Sequence, residues 1–214
     1  MSQIPLSDLR REFSSKVLSR ATVAADPFIQ FGSWLDEALS SSILDANAML
    51  VATADGRGRP SARIVLLKSF DASGFTFFTN YESRKGRDLE VNPNVALHFF
   101  WPELERQVGI TGIAEKISHS ESEEYFNSRP LESRLGAWAS DQSRPIPSRD
   151  HLVEKLEKIR EEFPGGNVPL PPYWGGYRVT PDRFEFWQGG ASRLHDRIIY
   201  TLEDGRWTIG RIAP

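Results

Sequence analysis

Apolar residues recur along this chain with two periods, and the switch between them divides it into elements. Residues 1–25 are mostly polar and read as a flexible N-terminal arm with a short helical fragment at Leu9–Phe13. Asp26-Pro27 opens a helix, since proline suits the first helical turn. Phe28, Phe31, Trp34, Leu35 and Ala38 then repeat at helical spacing through about Ser41 and give it one apolar face. Beyond it the period shortens. Ala48–Thr53 is an apolar run of buried-strand type, Asp55-Gly56-Arg57-Gly58 is a turn, and Pro60–Lys68 is the returning arm of a hairpin. A turn at Asp71–Gly74 leads into a strand at Phe75–Thr79. Ser83–Asn92 starts on a serine cap and stops before Pro93, as a helix does. Val95–Trp101 and Glu105–Ile117 follow as strands, with Gly109 and Gly112 marking bulges or close backbone approach. Ser120–Ser128 predicts a helix with Ser120 and Glu123 spaced as a capping box. Glu132–Ala139 predicts a shorter helix, and Ser148–Phe163 a charged amphipathic one beyond the Asp141–Pro147 loop. After a Pro/Gly linker at Gly165–Pro172, the runs Tyr177–Thr180, Phe184–Trp187, Leu194–Tyr200 and Trp207–Ile212 complete roughly eight strands. Most links are hairpins. The expected fold is mainly β and largely antiparallel, a closed or nearly closed barrel with peripheral helices, with residues 26–214 forming one domain.

Composition narrows the class. The 214 residues carry 26% charged and 39% hydrophobic positions, an ordinary globular balance. A net charge of −3 speaks against a dedicated nucleic-acid binder. The absence of cysteine excludes disulfides, thiolate metal sites and cysteine nucleophiles, and suits a reducing, cytoplasmic setting. The first residues, MSQIPLSDLRREF, contain no apolar segment of secretory type, and no run approaches the ~20 apolar residues of a membrane span.

Five constellations carry candidate chemistry. Arg193, His195 and Arg197 sit at i, i+2 and i+4 of the strand-like run after Gly189-Gly190, which would point all three to one face. That suits an anion grip with a proton-moving group, and it also suits a solvated strand face. Arg63–Lys68 (RIVLLK) puts Arg63, Val65 and Leu67 on one face of a strand and Ile64, Leu66 and Lys68 on the other. Thr79-Asn80-Tyr81-Glu82-Ser83-Arg84-Lys85 runs a strand into a helix N-terminus with hydroxyls and two cations, which favours phosphate. Tyr125, Arg129 and Ser133, spaced by four, offer a phenol, a guanidinium and a hydroxyl for a second anion pocket, although Pro130 interrupts the helix. Gln142-Ser143, Gln107 and Trp187 add amides and an aromatic face suited to a heterocycle. No GxGxxG or P-loop motif is present, no GxSxG elbow occurs, and the four histidines are scattered, so no metal site is expected. Two anion clusters without metal or nucleophile point to a phosphorylated cofactor that brings its own chemistry.

In chain order, RIVLLK, FFTNYESRKGRDL, ERQV, YFNSRPLESRLGAWASDQS, PPYWGGYRV and FEFWQGGASRLHDRIIY closely resemble the pyridoxamine 5′-phosphate oxidase family. The resemblance runs from about Leu9 to Pro214. It implies an FMN-binding split β-barrel with surrounding helices, active as a homodimer with FMN at the interface. It implies FMN contacts at Arg63, Ile64, Val65, Leu66, Leu67, Lys68, Phe78, Thr79, Arg84, Lys85, Gln107, Gln142, Ser143, Trp187 and Arg197, some from the second subunit. Arg63, Arg84 and Lys85 would hold the FMN phosphate. Lys68, Tyr125, Arg129 and Ser133 would hold the substrate phosphate, with Arg193 and His195 facing the pyridine ring and Arg197 shared between substrate and flavin. The reaction implied is oxidation of pyridoxamine or pyridoxine 5′-phosphate to pyridoxal 5′-phosphate, with O2 as acceptor.

Three positions depart from the family pattern. Phe78 stands where a tyrosine precedes Thr79, Phe13 replaces the tyrosine of an RREY arm that covers substrate in some members, and Gly109 replaces a larger residue. A sister group, the phenazine-biosynthesis FMN oxidases acting on reduced phenazine precursors, is the alternative. A non-catalytic carrier of flavin or pyridoxal phosphate is a third reading.

Overall fold

The structure is a computed structural model that describes residues 5–9, 12–13 and 17–214. In chain order the strands are β1 (Ala48–Ala54), β2 (Pro60–Leu66), β3 (Ser69–Asp71), β4 (Gly74–Asn80), β5 (Asn94–Trp101), β6 (Arg106–Lys116), β7 (Trp174–Gln188), β8 (Asp196–Glu203) and β9 (Arg206–Arg211). The helices are α1 (Pro27–Leu39), α2 (Arg84–Val91), α3 (His119–Ser128), α4 (Leu131–Ala139) and α5 (Arg149–Glu162). Hydrogen bonding orders the strands β2-β1-β5-β6-β7-β4-β3, with β8 also on β7 and β9 on β8. The fold is therefore mainly β, and it is antiparallel along β3–β4, β4–β7, β7–β8 and β8–β9.

The chain forms two compact units. One comprises the chain up to Met49 with Leu97–Thr111 and Asp182–Pro214; the other comprises Leu50–Ala96 and Gly112–Pro181. In the first, the Asp26 carboxylate accepts from the N–H groups of Phe28 and Ile29 and fixes the start of α1. Its apolar face buries Phe31 against Phe99 and Trp34 against Phe186. Arg106 is buried over the Trp34 ring, 4.3 Å from its centre, and donates to Gln188 (2.9 Å) and Glu37 (3.0 Å). Strand β8 pairs with the end of β7 in a register that sets Trp187 opposite Arg197. In the second unit, β4 pairs with the start of β7, Phe78 opposite Gly176 and Asn80 opposite Trp174. Phe126, Leu135, Val168 and Trp174 form the core that α3 and α4 share.

Several elements differ from their sequence expectation. Tyr177–Thr180 and Phe184–Trp187 are one strand of 15 residues that runs through Pro181. The neighbouring Gly112 explains the tolerance, since a Cβ there would lie 2.2 Å from the Thr180 carbonyl oxygen and 2.8 Å from Pro181 Cα. The capping box of α3 is Ser118 with Glu121, not Ser120 with Glu123, because the helix starts as soon as β6 ends. The three-residue strand β3 was not anticipated. In Leu9–Phe13 the described residues Leu9, Glu12 and Phe13 carry no helix, and Arg10 and Arg11 lie outside the described residues. The run Leu194–Tyr200 becomes a strand only from Asp196, so Arg193 and His195 precede it and do not share a strand face with Arg197. Ser192 and Arg193 take left-handed backbone (φ 54° and 61°), which closes a short turn after Gly190 and spends the residues that a tight hairpin would have paired. Among the described residues no helix is long and apolar enough to cross a membrane.

Gly112→Ala should lower stability by about 2 kcal/mol or more, because the added methyl meets backbone that cannot rotate away. A urea-unfolding midpoint equal to that of the unaltered protein would contradict this packing.

Candidate active site

The second unit contains a cavity of about 460 Å³ lined by Ile64, Val65, Leu66, Lys68, Phe78, Thr79, Lys85, Tyr125, Arg129, Pro130, Ser133, Gln142 and Trp174. Local structure explains how these side chains arrive. Strand β2 alternates, with Ser61, Arg63 and Val65 half-buried and Ile64 and Leu66 exposed. Lys68 follows its end, where the Lys68 N–H donates to the Thr76 carbonyl. Ser83 caps α2 by accepting from the Gly86 N–H, which places Lys85 in the first turn. Pro130 separates α3 from α4, so Tyr125 and Ser133 reach the cavity from two helices with Arg129 at the break between them.

The cations there are held without counterions. Lys85 is 7% exposed. Its ammonium donates to Thr79 Oγ1 (2.9 Å), Gln142 Oε1 (2.7 Å) and Ser83 Oγ (3.4 Å). Burial, with the Arg63 charge adding to it, pulls its pKa down to about 8. Arg129 lies over the Trp174 ring at 4.7 Å, and its Nη1 is buried with no hydrogen-bond partner. Burial also lowers its pKa, against the opposing pull of the Tyr125 phenol. Among the described residues no carboxylate pairs with Lys68, Lys85 or Arg129. Phe78 stacks on Tyr125, 3.8 Å between centroids, and on Trp174 at 5.5 Å, so one wall is a slab of three rings.

The other expected residues of this unit stand outside the cavity lining. Arg63 donates to the Val51 carbonyl (3.1 Å), Thr53 Oγ1 (2.9 Å) and Ser61 Oγ, while Thr53 and Ser61 donate to the buried Asp88 carboxylate. Leu67 is buried, and Arg84 and Ser143 are exposed, Ser143 with φ 70°. Trp174 and Pro130 were not anticipated; the only sequence signal for Trp174 is its place just before the Gly175-Gly176 pair.

The first unit gathers the remaining candidates. His195 accepts the Gly190 N–H at Nδ1 (3.1 Å), so a neutral ring carries its proton on Nε2. Its ring packs on Trp187 at 4.6 Å and on Phe13 at 5.3 Å, and Phe13 also meets Trp187 edge-on at 5.7 Å. Arg197 is clamped by Glu185, whose Oε1 accepts from Nε (2.8 Å) and lies 2.6 Å from Nη2, while Nη1 donates to the Ala213 carbonyl (3.0 Å). Gln107 Oε1 lies 3.1 Å from His98 Nε2. Arg193 is exposed.

The family profile described as "Pyridoxamine 5′-phosphate oxidase" matches residues 35–163, and that described as "Pyridoxine 5′-phosphate oxidase C-terminal dimerisation region" matches residues 174–214. The chain belongs to the pyridoxamine 5′-phosphate oxidase family. Members named pyridoxine/pyridoxamine 5′-phosphate oxidase from Bordetella pertussis and Cupriavidus taiwanensis are each 56% identical, over 211 and 210 residues, covering 98% of this chain and 99% of theirs. Among solved structures, PhzG from Burkholderia lata, determined with tetrahydrophenazine-1-carboxylic acid, superposes with a TM-score of 0.87 at 29% identity, covering 92% of this chain and 98% of that one. A pyridoxamine 5′-phosphate oxidase-related, FMN-binding protein from Nostoc punctiforme shares the fold at 16% identity, with a TM-score of 0.71 over 90% of this chain and all of that one. The fold is thus the split barrel of this family.

Affinity of the family member described here for a phosphate monoester should fall as pH rises through about 8, because an anion prefers the ammonium form of Lys85 and the empty site releases that proton near there. Phosphate monoesters lose their second proton near pH ~6, so the step is not theirs. Calorimetric titration with FMN across the neutral to alkaline range should show this fall, and Lys85→Gln should flatten it. An unaltered profile in the variant would contradict the assignment.

Proposed function

We propose that this chain oxidises pyridoxamine 5′-phosphate and pyridoxine 5′-phosphate to pyridoxal 5′-phosphate, using FMN. The observation that carries the reading is the cavity where buried Lys85 and half-buried Arg129 have no carboxylate partner, and the buried Arg129 Nη1 no hydrogen-bond partner, among the described residues. A buried unpaired charge is costly, and a doubly charged phosphate is the ligand that repays it with charge-assisted hydrogen bonds. The donor set fits two phosphates. Lys85 with the Thr79 hydroxyl and Gln142 amide, supported by Arg63, Arg84 and Ser143, suits that of FMN. Lys68, Tyr125, Arg129 and Ser133 suit that of the substrate. Ile64, Val65, Leu66, Leu67 and Phe78 supply backbone and apolar contact to the flavin.

The residues of the C-terminal dimerisation region take the ring side, reaching the flavin from a second subunit in a homodimer. There Trp187 and Arg197, together with Gln107 of β6, meet the isoalloxazine, while Arg193 and His195 meet the substrate. Phe13, lying on His195 and Trp187, gives the arm an apolar cover over that position. When bound, FMN would supply two-electron oxidation at the substrate C4′ with O2 as the final acceptor: the alcohol would give up a hydride and its hydroxyl proton, the amine a hydride and a proton before water releases ammonia, and the two electrons and two protons would leave as H2O2. The chain's own part is placement and charge. Arg193 and Arg197 orient the substrate and stabilise negative charge as it develops, and His195 donates a hydrogen bond from Nε2. A cysteine-free chain suits a cytoplasmic enzyme.

A phenazine precursor such as the one bound to the Burkholderia protein carries a carboxylate and no phosphate, which would leave one of the two cationic clusters unused. Oxygen uptake by FMN-loaded protein decides between these readings. Uptake and pyridoxal phosphate formation are expected with pyridoxine 5′-phosphate and not with tetrahydrophenazine-1-carboxylic acid. Uptake with the phenazine alone would overturn the reading in favour of the sister activity. Bound flavin without uptake on either substrate would overturn it in favour of a carrier.

A further inference from the structure

One half-buried histidine of the first unit has no part in the roles above. His98 stands on β5 with its Nε2 3.1 Å from Gln107 Oε1 on β6. Along β6, Arg106 and Val108 are buried, while Gln107 and Gly109 occupy the opposite, half-buried face. The imidazole stands beside Gly109, where an added Cβ would be in ordinary van der Waals contact with it, 3.7 Å from His98 Nδ1 and 3.9 Å from Glu185 Cβ.

A carboxamide has one accepting end and one donating end, and a hydrogen bond to either fixes which way the other points. Nε2 donates both in the neutral Nε2–H tautomer and in the imidazolium. With Oε1 engaged by His98, the Gln107 NH2 is turned away from the ring with two protons to give. We propose that His98 is a positioning residue that locks the Gln107 carboxamide so that its NH2, not its oxygen, faces the flavin. This rests on the reading that places FMN against Gln107. The fixed donor suits an accepting oxygen or nitrogen at the isoalloxazine edge, whereas a freely rotating amide would present its oxygen there part of the time, at a repulsive cost. The lock acts on flavin binding itself, so it can be read without turnover.

The test is the dissociation constant of FMN, followed by quenching of flavin fluorescence as apoprotein is added, in a mutant cycle of His98→Leu and Gln107→Ala. His98→Leu should weaken binding about three- to tenfold, the loss of one hydrogen bond. Gln107→Ala should weaken it at least as much, and the double variant should bind no more weakly than Gln107→Ala alone. His98→Gln, which keeps a donor at similar reach, should bind within about twofold of the unaltered protein. His98→Asn, too short to reach Gln107, replaces His98→Leu if the latter does not fold. Full binding in His98→Leu or His98→Asn, or additive losses in the double variant, would overturn the positioning role while leaving the flavin at Gln107. Full binding in Gln107→Ala would show that the flavin does not lie against Gln107, and the inference would fall together with that placement.

Discussion

Burying positive charge without a counterion is the constraint on which the rest of this molecule turns. Lys85 is nearly inaccessible and held only by neutral oxygens, and part of Arg129 is buried with nothing to bond. Such groups cost stability in the empty protein. Several other cations of the chain are paired, while half-buried Arg134, outside the cavity lining, also keeps an Nε without a hydrogen-bond partner among the described residues. Arg106 has Glu37 and Gln188, Arg197 has Glu185, and Arg63 belongs to a network that ends on the Asp88 carboxylate. On the proposed function the neutral walls of the cavity follow as well: a carboxylate would relieve the cost and repel the phosphate.

The frame around the cavity follows from the same need. Buried cations must be aimed, and each is aimed by an ordinary device. Ser83 sets the first turn of α2 and with it Lys85. Pro130 breaks α3 from α4 and leaves Arg129 at the joint. The slab of Phe78, Tyr125 and Trp174 supports the Arg129 guanidinium from its π-face. Phe78 lacks a hydroxyl, yet its ring is fully used in that slab. In the first unit His195 is held through the Gly190 N–H, and Arg197 through Glu185 and the Ala213 carbonyl.

Features that depend on near neighbours in sequence were legible from the residues alone. The helix starts at Asp26 and Ser83, the alternation of β2 and the anionic preference of Thr79–Lys85 all follow from local spacing. What escaped depends on distant chain. Pro181 reads as a strand end until Gly112 is seen to make room beside it. Arg193, His195 and Arg197 read as one strand face, but two left-handed residues displace the first two from the strand. Trp174 joins the cavity only through its packing against Phe78 and Phe126, and the place of the His98 ring beside Gln107 and Gly109 appears only in the fold. The cavity brings the Tyr125–Ser133 cluster together with Thr79, Lys85 and Gln142, which no spacing could show.

The central claim is that the unpaired cations exist for phosphate. Its most direct test is kcat/KM for pyridoxine 5′-phosphate and for unphosphorylated pyridoxine, in the unaltered protein and in Arg129→Ala. Loss of a charge-assisted contact worth ~1.5–3 kcal/mol should lower kcat/KM for the phosphorylated substrate about ten- to a hundredfold, through KM, and leave the already poor use of pyridoxine unchanged. An unchanged KM for the phosphorylated substrate, or an equal loss on both substrates, would contradict the account.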